Sequence, residues 1–547
     1  MIIGSHHIYV PAAGRKDYKA LKDIGGVWSA RRHSFRFPKS VHALDEIAAF
    51  LPDIAATDAF QVARSNLLVS REALRKLKEK PADTTHAEEK LRTYQRQDVQ
   101  YLSAIPSAGV FNQPRTGKTP TMIEVIRVRR TKRNIIVCPA SLQENWRREI
   151  VKWHDEAEVY ACIGTPKQRK QEIEDFRKHS ETAPCYLIVS KDTIKRQIND
   201  FLFEHDVLVV DEAHFLRNRD TAQSTALVSL GYEAKHRYAL TGTPTVKHPA
   251  DIFGILEFLY PDKFPSYWQF VERYFHIEDN GFGKEIGHPI RHREAELKDI
   301  IDAMSTQRLR KDIMQWLPDK QRHRHLCRMD KKQTAVYQQM AQDFFAETED
   351  GAELDAQNIL TQLIRLRQIT ADPKLVGLNA PSAKTDALLE IIQDNLYTAN
   401  GEPIVIMSMF TGYLKYLKPL IEQLGKRVAM IHGEMDNYSK DKAAQDFQAG
   451  KIDVLLCNII SAGTGFTLDK GEVIIFADKA WNPSDNEQAE DRITPTQQDQ
   501  VHKHFIVSLV CENTIDVHIE NVLDRKENLT SIINQCKSVD QLRVFLL

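Results

Sequence analysis

The sequence predicts an α/β protein with two parallel-sheet lobes, a helical connector between them and a small α+β module in front. Two observations predict this fold class. Nine short apolar runs alternate with helical stretches and fall into two groups, and the chain between about Pro261 and Pro381 has a mostly helical pattern without such runs. Continuous apolar runs bounded by turns are typical of strands buried on both faces, and their alternation with helices is typical of parallel sheets.

Each predicted lobe takes its strands from one group of runs. The first group is IIVCPA from Ile135, YLIVS from Tyr186, VLVVDE from Val207 and RYALTGT from Arg237. The second group is IVIMSM from Ile404, VAMIHG from Val428, DVLLCN from Asp453, VIIFAD from Val473 and HFIVSLV from His504. We therefore expect six segments: a small module at 1–52, a helical linker at 53–90, a first lobe at 91–262, the helical connector at 263–381, a second lobe at 382–526 and a tail helix at 527–547.

Length and composition restrict the class of protein. A chain of 547 residues is too long for a single core, and 42% hydrophobic with 27% charged residues is typical of a globular protein in water. No apolar run approaches the roughly 18 residues that a membrane span needs. The first residues also lack the basic start and apolar centre of a signal peptide. We therefore expect a cytoplasmic protein without membrane association.

Cysteine usage and charge exclude further classes. The seven cysteines are scattered and form no Cys-x-x-Cys pair, which argues against a zinc site or a disulfide framework. Cys138 and Cys457 lie in apolar runs and are predicted to be small core residues. The net charge of −1 does not indicate a nucleic-acid-binding protein. Local basic clusters could still bind nucleic acid, although solvated surface is the simplest interpretation of each. The clusters are RRHSFR from Arg31, RVRRTKR from Arg127 and QRHRH from Gln321.

The segment PRTGKT, residues 114–119, has the composition of a phosphate-binding loop. It follows the apolar run GVF and opens a helical stretch, so its backbone N–H groups and the helix dipole would face an anion. Lys118 can reach the β- and γ-phosphates of a nucleotide, and the Thr119 hydroxyl can hold Mg²⁺. Asn112 stands where the strict pattern has glycine, and asparagine tolerates left-handed backbone better than most residues. The loop residues expected to contact a nucleotide are Arg115, Thr116, Gly117, Lys118 and Thr119.

A second pattern places two acids at the end of a strand. The apolar run Val207–Val210 leads directly into Asp211, Glu212, Ala213 and His214. Carboxylates would then lie at the carboxyl edge of the sheet, where α/β proteins bind ligands. Asp211 can anchor Mg²⁺ through water, and Glu212 can orient and deprotonate an attacking water. Because this pair follows Lys118 by 93 residues on a predicted buried strand, the two patterns together indicate an NTPase.

Further motifs surround these two. They are LRTYQRQDV from Leu91, LTGTP from Leu240, RLRKDI from Arg308, LPDK from Leu317, LRQITADPKLV from Leu366, SAGTGFTL from Ser461 and AWNPSDNEQAEDR from Ala480. With the phosphate loop and the DEAH box, they make the chain resemble the Swi/Snf-type ATPases of helicase superfamily two over about Leu91–Lys526. The resemblance implies two RecA-like lobes that bind one ATP, with 91–262 as the ATP-binding lobe.

The resemblance implies roles for residues that no local pattern marks. Gln95 takes the place of the adenine-contacting glutamine, and Arg492 takes that of the arginine finger. Gln488 would contact the γ-phosphate region. Gly463 and Gly465 would allow the close backbone approach that an interface between lobes needs.

The chain departs from the family pattern at two positions. Pro495 stands where the family has a second arginine, three residues after Arg492. Arg115 stands where the family usually has glycine. The first departure bears on the rate of turnover more than on the reaction.

The resemblance also implies that both lobes contact the phosphate backbone of duplex DNA. Such contacts carry no sequence information, so binding should be sequence-independent and salt-sensitive. The candidates in the first lobe are Ser141, Asn145, Ser190, Lys191, Thr241 and Thr243. The candidates in the second lobe are Ser408, Thr411, His432, Gly433, Ser461, Thr464 and Trp481. The alternatives are an ordinary cap or turn for each serine and threonine, and a core position for Trp481.

The N-terminal segment GGVWSARRHSFRFPKS, residues 25–40, resembles the small HARP-type domain that precedes the motor of annealing helicases. The resemblance implies an aromatic core and a basic nucleic-acid-binding surface for the module. The core residues would be Trp28, Phe35 and Phe37. The residues that meet phosphates would be Arg31, Arg32 and Arg36.

These observations predict a DNA-dependent ATPase that uses ATP and Mg²⁺. We expect a monomer of bacterial or phage origin that translocates on double-stranded or forked DNA and remodels it, for example in DNA repair. Two alternatives stay open at this point. One is a strand-separating helicase on DNA or RNA, and the other is an ATP-gated DNA clamp with little turnover, which Pro495 favours.

Overall fold

The computed structural model describes residues 1–4, 7–80, 90–245, 248–279, 284–317, 320–349, 356–398, 401, 403–462, 467–495 and 504–525, with the backbone alone at 279, 284, 343–349, 356–360 and 462. The chain forms two compact units that divide between Ile313 and Met314. The segments predicted at 1–52 and 53–90 thus belong to the same unit as the first lobe, while the finer domain boundaries stay a prediction. The tail helix predicted at 527–547 lies outside the described residues.

The first unit contains the N-terminal module and the first lobe. Its helices are α1 (Arg15–Asp23), α2 (Val41–Phe50), α3 (Pro52–Ala55), α4 (Asp58–Glu79), α5 (Thr93–Ala104), α6 (Lys118–Arg129), α7 (Gln143–Trp153), α8 (Pro166–His179), α9 (Lys191–Gln197), α10 (Ala222–Tyr232), α11 (Phe253–Leu259), α12 (Tyr267–Tyr274), α13 (Glu294–Asp302) and α14 (Arg310–Ile313). Its strands are β1 (Ile2–Ile3), β2 (His7–Val10), β3 (Val27–Ser29), β4 (Ser34–Pro38), β5 (Ala108–Val110), β6 (Arg133–Cys138), β7 (Glu158–Ala161), β8 (Cys185–Ser190), β9 (His205–Asp211), β10 (Ala234–Leu240), β11 (Phe275–Asp279), β12 (Lys284–Pro289) and β13 (Ser305–Thr306).

The N-terminal module is an antiparallel sheet in the order β1-β2-β4-β3 that packs on α1 and α2. Phe35 and Phe37 on β4 are buried, as predicted. The expectation that Trp28 belongs to the core was wrong, because it lies on the edge strand β3 and stays 41% exposed. Its ring packs at the surface against Tyr18 and Phe35.

The first lobe is built on seven parallel strands in the order β13-β5-β10-β9-β6-β8-β7. Strand β6 shows why these strands read as continuous apolar runs. Ile135 and Val137 belong to the core on one face, while Ile136 and Cys138 belong to the core on the other. Both faces are therefore covered by helices, as parallel sheets require.

The second unit is also built on a parallel sheet. Its helices are α15 (Lys331–Glu349), α16 (Ala356–Ala371), α17 (Ala383–Gln393), α18 (Thr411–Gln423), α19 (Asn437–Gln448), α20 (Ile459–Ala462), α21 (Pro483–Glu490) and α22 (Ile515–Asp524). Its strands are β14 (Gln321–Cys327), β15 (Ile404–Ser408), β16 (Val428–Ile431), β17 (Val454–Asn458), β18 (Val473–Phe476) and β19 (Phe505–Cys511), in the order β14-β19-β18-β15-β17-β16. Residues of β15 again alternate between two cores, Ile404 and Ile406 on one face and Val405 and Met407 on the other.

The segment 263–381 is not purely helical, so the expectation that it lacks strands was wrong. Strands β11 and β12 form an antiparallel hairpin, β13 extends the first sheet beside β5, and β14 pairs along its whole length with β19. Strand β13 is only two residues long, and β14 is an edge strand whose residues 321–324 are exposed. Neither has an apolar run, because β13 consists only of Ser305 and Thr306, and β14 is an edge strand whose charged residues lie in solvent. The exposure of the cluster QRHRH agrees with its solvated interpretation.

Two smaller expectations can also be compared with the structure. Cys138 and Cys457 are fully buried, as predicted for small core residues. Burial raises the pKa of both thiols. No helix in the described ranges combines the length and the apolar character that crossing a membrane demands.

Candidate nucleotide site and nucleic-acid interface

Three loops leave the same edge of the first sheet. Strand β10 lies between β5 and β9, and Leu240 pairs with Val110 on one side and with Asp211 on the other. The phosphate loop, the LTGTP segment and the acid pair therefore begin at one level of the sheet. Gly242 lies so close to the phosphate loop that a Cβ there would be 2.8 Å from the Cδ of Pro114. The structure thus brings the motifs of the first lobe together at the carboxyl edge.

The phosphate loop enters α6 through two residues with left-handed backbone. Gly117 has a φ of +77° and precedes the first residue of α6, and Arg115 has a φ of +68°. Glycine takes this conformation without strain, whereas arginine does not. Helix α5 supports the loop, because Gln95 Nε2 donates to the Gly117 carbonyl over 3.3 Å and Tyr94 donates to the Thr116 carbonyl over 2.9 Å.

Asn112 supports the loop with its side chain rather than with a left-handed backbone. It is absent from the described residues that have a positive φ. Its Nδ2 donates to Asp98 Oδ2 over 2.8 Å, and Arg308 donates to the other oxygen of Asp98 over 2.8 and 3.0 Å. Burial raises the pKa of Asp98, and the Arg308 guanidinium opposes that shift. The buried carboxylate therefore anchors the start of the loop, and Lys118 Nζ donates to the Asn112 carbonyl over 3.0 Å.

Asp211 lies almost fully buried at the end of β9. Burial, and after it the neighbouring charge of Glu212, raises the pKa of its carboxyl, while Lys118 opposes that shift. The indole Nε1 of Trp146 donates to Asp211 Oδ2 over 2.9 Å, which also favours the ionised carboxylate. Trp146 lies on α7 and is fully buried. It therefore holds the carboxylate from inside the lobe, and the lysine of the phosphate loop is near enough to act on the same group.

Glu212 is arranged differently from its neighbour. It takes a φ of +51°, and its N–H donates to Asp211 Oδ1 over 2.9 Å. Its side chain is 33% exposed, and its Oε2 lies 3.2 Å from Nδ1 of His214. A residue other than glycine in the left-handed region costs free energy and is often found at functional sites. The pair thus offers one carboxylate fixed within the lobe and one that solvent can reach.

Gly254 on α11 lies against the turn Ala213–Arg217 that follows the acid pair. A Cβ at this position would lie 2.0 Å from the Leu216 carbonyl oxygen. We expect Gly254→Ala to displace that turn and to lower the free energy of unfolding by about 1–3 kcal/mol, measured by thermal unfolding. Gly231→Ala on α10 is the matched control, because its Cβ would be 3.4 Å from the nearest atom. Equal losses in the two variants would contradict this role for Gly254.

Thr119 and Asp211 fit Mg²⁺ that arrives with a nucleotide. Thr119 lies in the first turn of α6, and Asp211 ends the strand at the same edge of the sheet. In the part of the chain that the structure describes, no three His, Cys, Asp or Glu residues are grouped so that they could hold a metal ion. Mg²⁺ keeps several waters and binds through one or two carboxylates plus substrate phosphates. A threonine hydroxyl and one carboxylate fit this mode of binding.

In the second unit, the candidate arginine finger lies in a short turn, and a lysine binds the two acids that precede the arginine. Arg492 belongs to the 3₁₀ turn Asp491–Ile493, directly after the helix that carries Gln488, and both side chains are half-buried. Lys320 Nζ donates to Asp491 Oδ1 over 2.8 Å and to Glu490 Oε2 over 3.1 Å. Lys320, from the LPDK motif, thus holds the turn in place through these two acids. Pro495 is buried, and Gly463, Thr464 and Gly465 lie outside the described residues.

The candidate DNA contacts of the first lobe fall into two groups. Ser190 and Thr241 are buried, and their hydroxyls accept the N–H groups of Thr193 and Thr243, each over 3.1 Å. These two side chains therefore serve as a cap and a turn, which is the alternative that the sequence left open. A phosphate contact there would need backbone N–H groups. The half-buried candidates are Ser141, Asn145, Lys191 and Thr243.

The second unit shows the same division. Ser408 is fully buried, and its Oγ donates to Asp478 and accepts the N–H of Phe410 over 3.0 Å. Asp478 also accepts the N–H of Met409 over 2.9 Å, so this buried acid shapes the loop after β15. The candidates that are half-buried or exposed are Thr411, His432, Gly433, Ser461 and Trp481.

The three arginines of the N-terminal module have different surroundings. Arg31 is exposed, and the exposed Arg32 lies over the ring of Tyr9 at 4.4 Å. Arg36 instead donates to the side-chain oxygen of Gln269 on α12. Arg31 and Arg32 are therefore at the surface, whereas Arg36 attaches the module to the lobe.

Several residues that shape these sites were missed from the sequence. Arg308 and Lys320 lie inside motifs that the resemblance marked, so they had a signal but no assigned role. Asp98 lies inside the motif LRTYQRQDV and likewise had no assigned role. Trp146 and Gly254 lie outside the quoted motifs, and each acts on a partner that only the folded sheet brings near. In the sequence, a buried tryptophan that donates to a carboxylate at the end of a strand cannot be distinguished from an ordinary core residue.

Two parallel α/β lobes with a phosphate loop and an acid pair at one sheet edge define the helicase-type class of nucleotide-binding proteins. A family model described as SNF2-related domain matches residues 73–375, which is more than half of the chain. A second, described as Helicase conserved C-terminal domain, matches residues 383–494. The chain belongs to the SNF2-related family, which confirms the resemblance seen in its motifs.

Individual relatives are distant and longer. YwqA of Bacillus subtilis (strain 168) is 26% identical over 474 residues, covering 82% of this chain and 49% of its own length. The DNA annealing helicase and endonuclease ZRANB3 of Mus musculus is 26% identical over 410 residues, covering 72% of this chain and 36% of its own. The chain thus spans about half or less of the length of these curated relatives. The Sulfolobus solfataricus SWI2/SNF2 ATPase core in complex with dsDNA matches 85% of this chain and 99% of its own, with 24% identity and a TM-score of 0.39.

Proposed function

We propose that the chain is an ATP-dependent translocase on duplex DNA, which hydrolyses ATP with Mg²⁺ to remodel DNA by fork remodelling or strand annealing. One observation carries the proposal. Lys118, Asp211 and Glu212 lie at one edge of the first sheet, and the lysine acts electrostatically on the buried acid. A lysine at a helix start, a fixed acid and an accessible acid are the groups that phosphoryl transfer to water needs.

The residues of the first lobe would divide the work as follows. The N–H groups that begin α6 and the Lys118 ammonium bind the β- and γ-phosphates. Thr119 and Asp211 would hold Mg²⁺, which would supply positive charge for the phosphoryl transfer. Glu212 orients the attacking water and accepts its proton, because its carboxylate is the accessible one of the pair. Gln95, which already contacts the phosphate loop, is the proposed adenine contact.

Residues of the second unit complete the proposal through the family resemblance. Arg492 is the proposed arginine finger, and Gln488 the proposed γ-phosphate contact. Gly463 and Gly465 are proposed to allow the close backbone approach that an interface between lobes needs. The names of the relatives, a DNA annealing helicase among them, support DNA as the partner.

The ATPase rate of the full chain tests the substrate. We expect duplex and forked DNA to raise the rate above that without nucleic acid, and the increase to fall with added salt, because the contacts are to backbone phosphates. We also expect ATP-dependent displacement of a third strand from a DNA triplex, which reports translocation without strand separation. Stimulation by single-stranded DNA or RNA, together with unwinding of a duplex, would instead favour the strand-separating helicase.

Pro495 gives the ATP-gated clamp a specific observation in its favour. The family has a second arginine at this place, whereas this chain has a buried proline that cannot donate a hydrogen bond. A clamp would bind DNA in an ATP-dependent way with turnover close to background. A DNA-stimulated rate well above background would exclude it.

Replacing Trp146 with phenylalanine tests the support of Asp211. We expect Trp146→Phe to raise the Mg²⁺ concentration that half-saturates ATP turnover about tenfold, because a hydrogen bond to a charged group contributes ~1.5–3 kcal/mol. Trp153→Phe on the same helix is the control, since its indole donates to Glu149 instead, over 3.0 Å. An unchanged Mg²⁺ requirement in Trp146→Phe would show that the indole has only a packing role.

A further inference from the structure

A cavity of about 430 Å³ lies within the first unit, between the N-terminal module, α4 and the first lobe. Residues of the phosphate loop, the acid pair and the LTGTP segment do not line it. Its volume is in the range of small-molecule sites, which begins at roughly 300 Å³. The cavity is therefore a separate place at which a ligand could bind.

The walls of this cavity are held by direct contacts between its three parts. His42 of the module lies 2.7 Å from one oxygen of Asp299 in the lobe, and Arg71 of α4 donates to the other oxygen over 2.7 Å. Lys78 of α4 donates to the Ser305 carbonyl over 2.8 Å. The cavity is thus formed before any ligand arrives, which lowers the cost of binding.

The lining carries more positive than negative charge. Five cationic side chains face it, Lys39, Arg71, Arg75, Lys78 and Lys263, against two acids, Asp299 and Asp302. Arg71 is paired with Asp299, and Arg75 is paired with Glu72 over 3.0 Å. Lys39 and Lys263 make no hydrogen bond or ion pair through their ammonium groups with any residue in the described ranges.

Both lysines are half-buried, and the charge of Lys39 acts on Lys263. Burial lowers the pKa of Lys263 to about 8, against the opposing charge of Glu296, and the charge of Lys39 lowers it further. Glu296 acts on Lys263 but forms no ion pair with it, and two like charges without a directly paired acid are unfavourable in a partly buried cavity. An anion between them would remove that cost, so the cavity is suited to a ligand with negative charge.

We propose that this cavity binds a phosphate-bearing group of nucleotide size, with Lys39 and Lys263 as its phosphate contacts. An ammonium group is a common point-charge partner of phosphate. The apolar side of the lining, with Leu67, Leu74 and Ile300, would receive the less polar part of the ligand. Two sources share this chemistry, a free nucleotide and the phosphorylated end of a DNA strand. The proposal does not depend on the ATPase reaction.

The test measures ligand binding to the full chain with the substitution Lys118→Ala, which weakens nucleotide binding at the phosphate loop. One probe is the fluorescent nucleotide MANT-ADP, and the other is a short single-stranded DNA with either a 5′-phosphate or a 5′-hydroxyl. We expect the double variant Lys39→Ala with Lys263→Ala to change the binding of one probe. Either the Kd for MANT-ADP rises by about tenfold or more, or the tighter binding of the 5′-phosphate DNA over the 5′-hydroxyl DNA is lost. The probe that responds identifies the source.

Two further variants separate a specific site from a general charge effect. Lys178→Ala removes an exposed lysine of α8 in the same unit and should leave both probes unaffected. Ser70→Trp fills the mouth of the cavity without changing charge and should weaken the responding probe as the double variant does. The proposal is overturned if the Lys118→Ala chain neither binds MANT-ADP nor binds the 5′-phosphate DNA more tightly than the 5′-hydroxyl DNA. It is equally overturned if the double variant binds both probes as tightly as its parent.

Discussion

Glu212→Gln is expected to lower ATP turnover by roughly 10²–10⁴-fold while ATP binding stays close to that of the natural chain. The size follows from the usual contribution of a general base to catalysis. Glutamine matches glutamate in shape, so it can keep the left-handed backbone at this position, but it cannot accept a proton from water. Steady-state turnover and the binding of a fluorescent ATP analogue would be measured on the same preparation.

A half-buried acid outside the site provides the control for this variant. Glu257 lies on α11 of the same unit, and burial raises the pKa of its carboxyl. Glu257→Gln should leave turnover within the error of the natural chain. Retained turnover in Glu212→Gln would remove Glu212 from the role of general base, and a parallel loss of ATP binding would assign it to binding instead.

The fold could be predicted wherever a strand is covered on both faces. Ile135, Ile136 and Val137 all face core, so the run that contains them is continuously apolar and marks a strand in the sequence. Strand β14 has only one covered side and residues such as Arg322 and Arg324 at the edge, so it has no such mark. Edge strands need the pairing itself to be recognised, and pairing is a property of the folded sheet.

The candidate site, too, could be predicted only where a local pattern marks a residue. Lys118 and the pair Asp211 and Glu212 could be predicted because each follows a strand and has a short local pattern. The contact from Trp146 to Asp211 joins residues 65 apart, and that from Arg308 to Asp98 joins residues 210 apart. Such contacts depend on which strands are neighbours, and the order β5-β10-β9 is not written in any one motif.

The N-terminal module is attached to the first lobe by buried charges that the sequence did not indicate. Arg273 on α12 donates to Glu296 on α13 over 2.7 and 3.1 Å, and to Glu46 of the module over 3.3 Å. Ser40 of the module donates to the other oxygen of Glu296 over 2.6 Å. Deleting residues 1–52 would remove two members of this cluster and leave the rest without partners. Arg31→Ala with Arg32→Ala is therefore the cleaner test of a DNA contact by the module.

Arg273→Met is expected to lower the free energy of unfolding by about 3–5 kcal/mol. Glu296 is 1% exposed, so loss of the guanidinium leaves a buried carboxylate without its counter-charge. Urea unfolding of the full chain, followed by circular dichroism, would show an earlier first transition. The loss should be among the largest of any single side chain in this unit, because the arginine serves acids from both the module and the lobe.

A second substitution distinguishes a buried uncompensated charge from lost packing. Arg273→Met combined with Glu296→Leu removes both members of the pair and should recover most of the stability that the single variant loses, since a buried ion pair contributes little more than apolar residues of similar size. Arg64→Met removes an exposed pair between α4 and the module, in which Arg64 lies 2.7 Å from Asp45, and should cost no more than about 1 kcal/mol. If the double variant is no more stable than Arg273→Met alone, then packing of the arginine rather than its charge holds the module on the lobe.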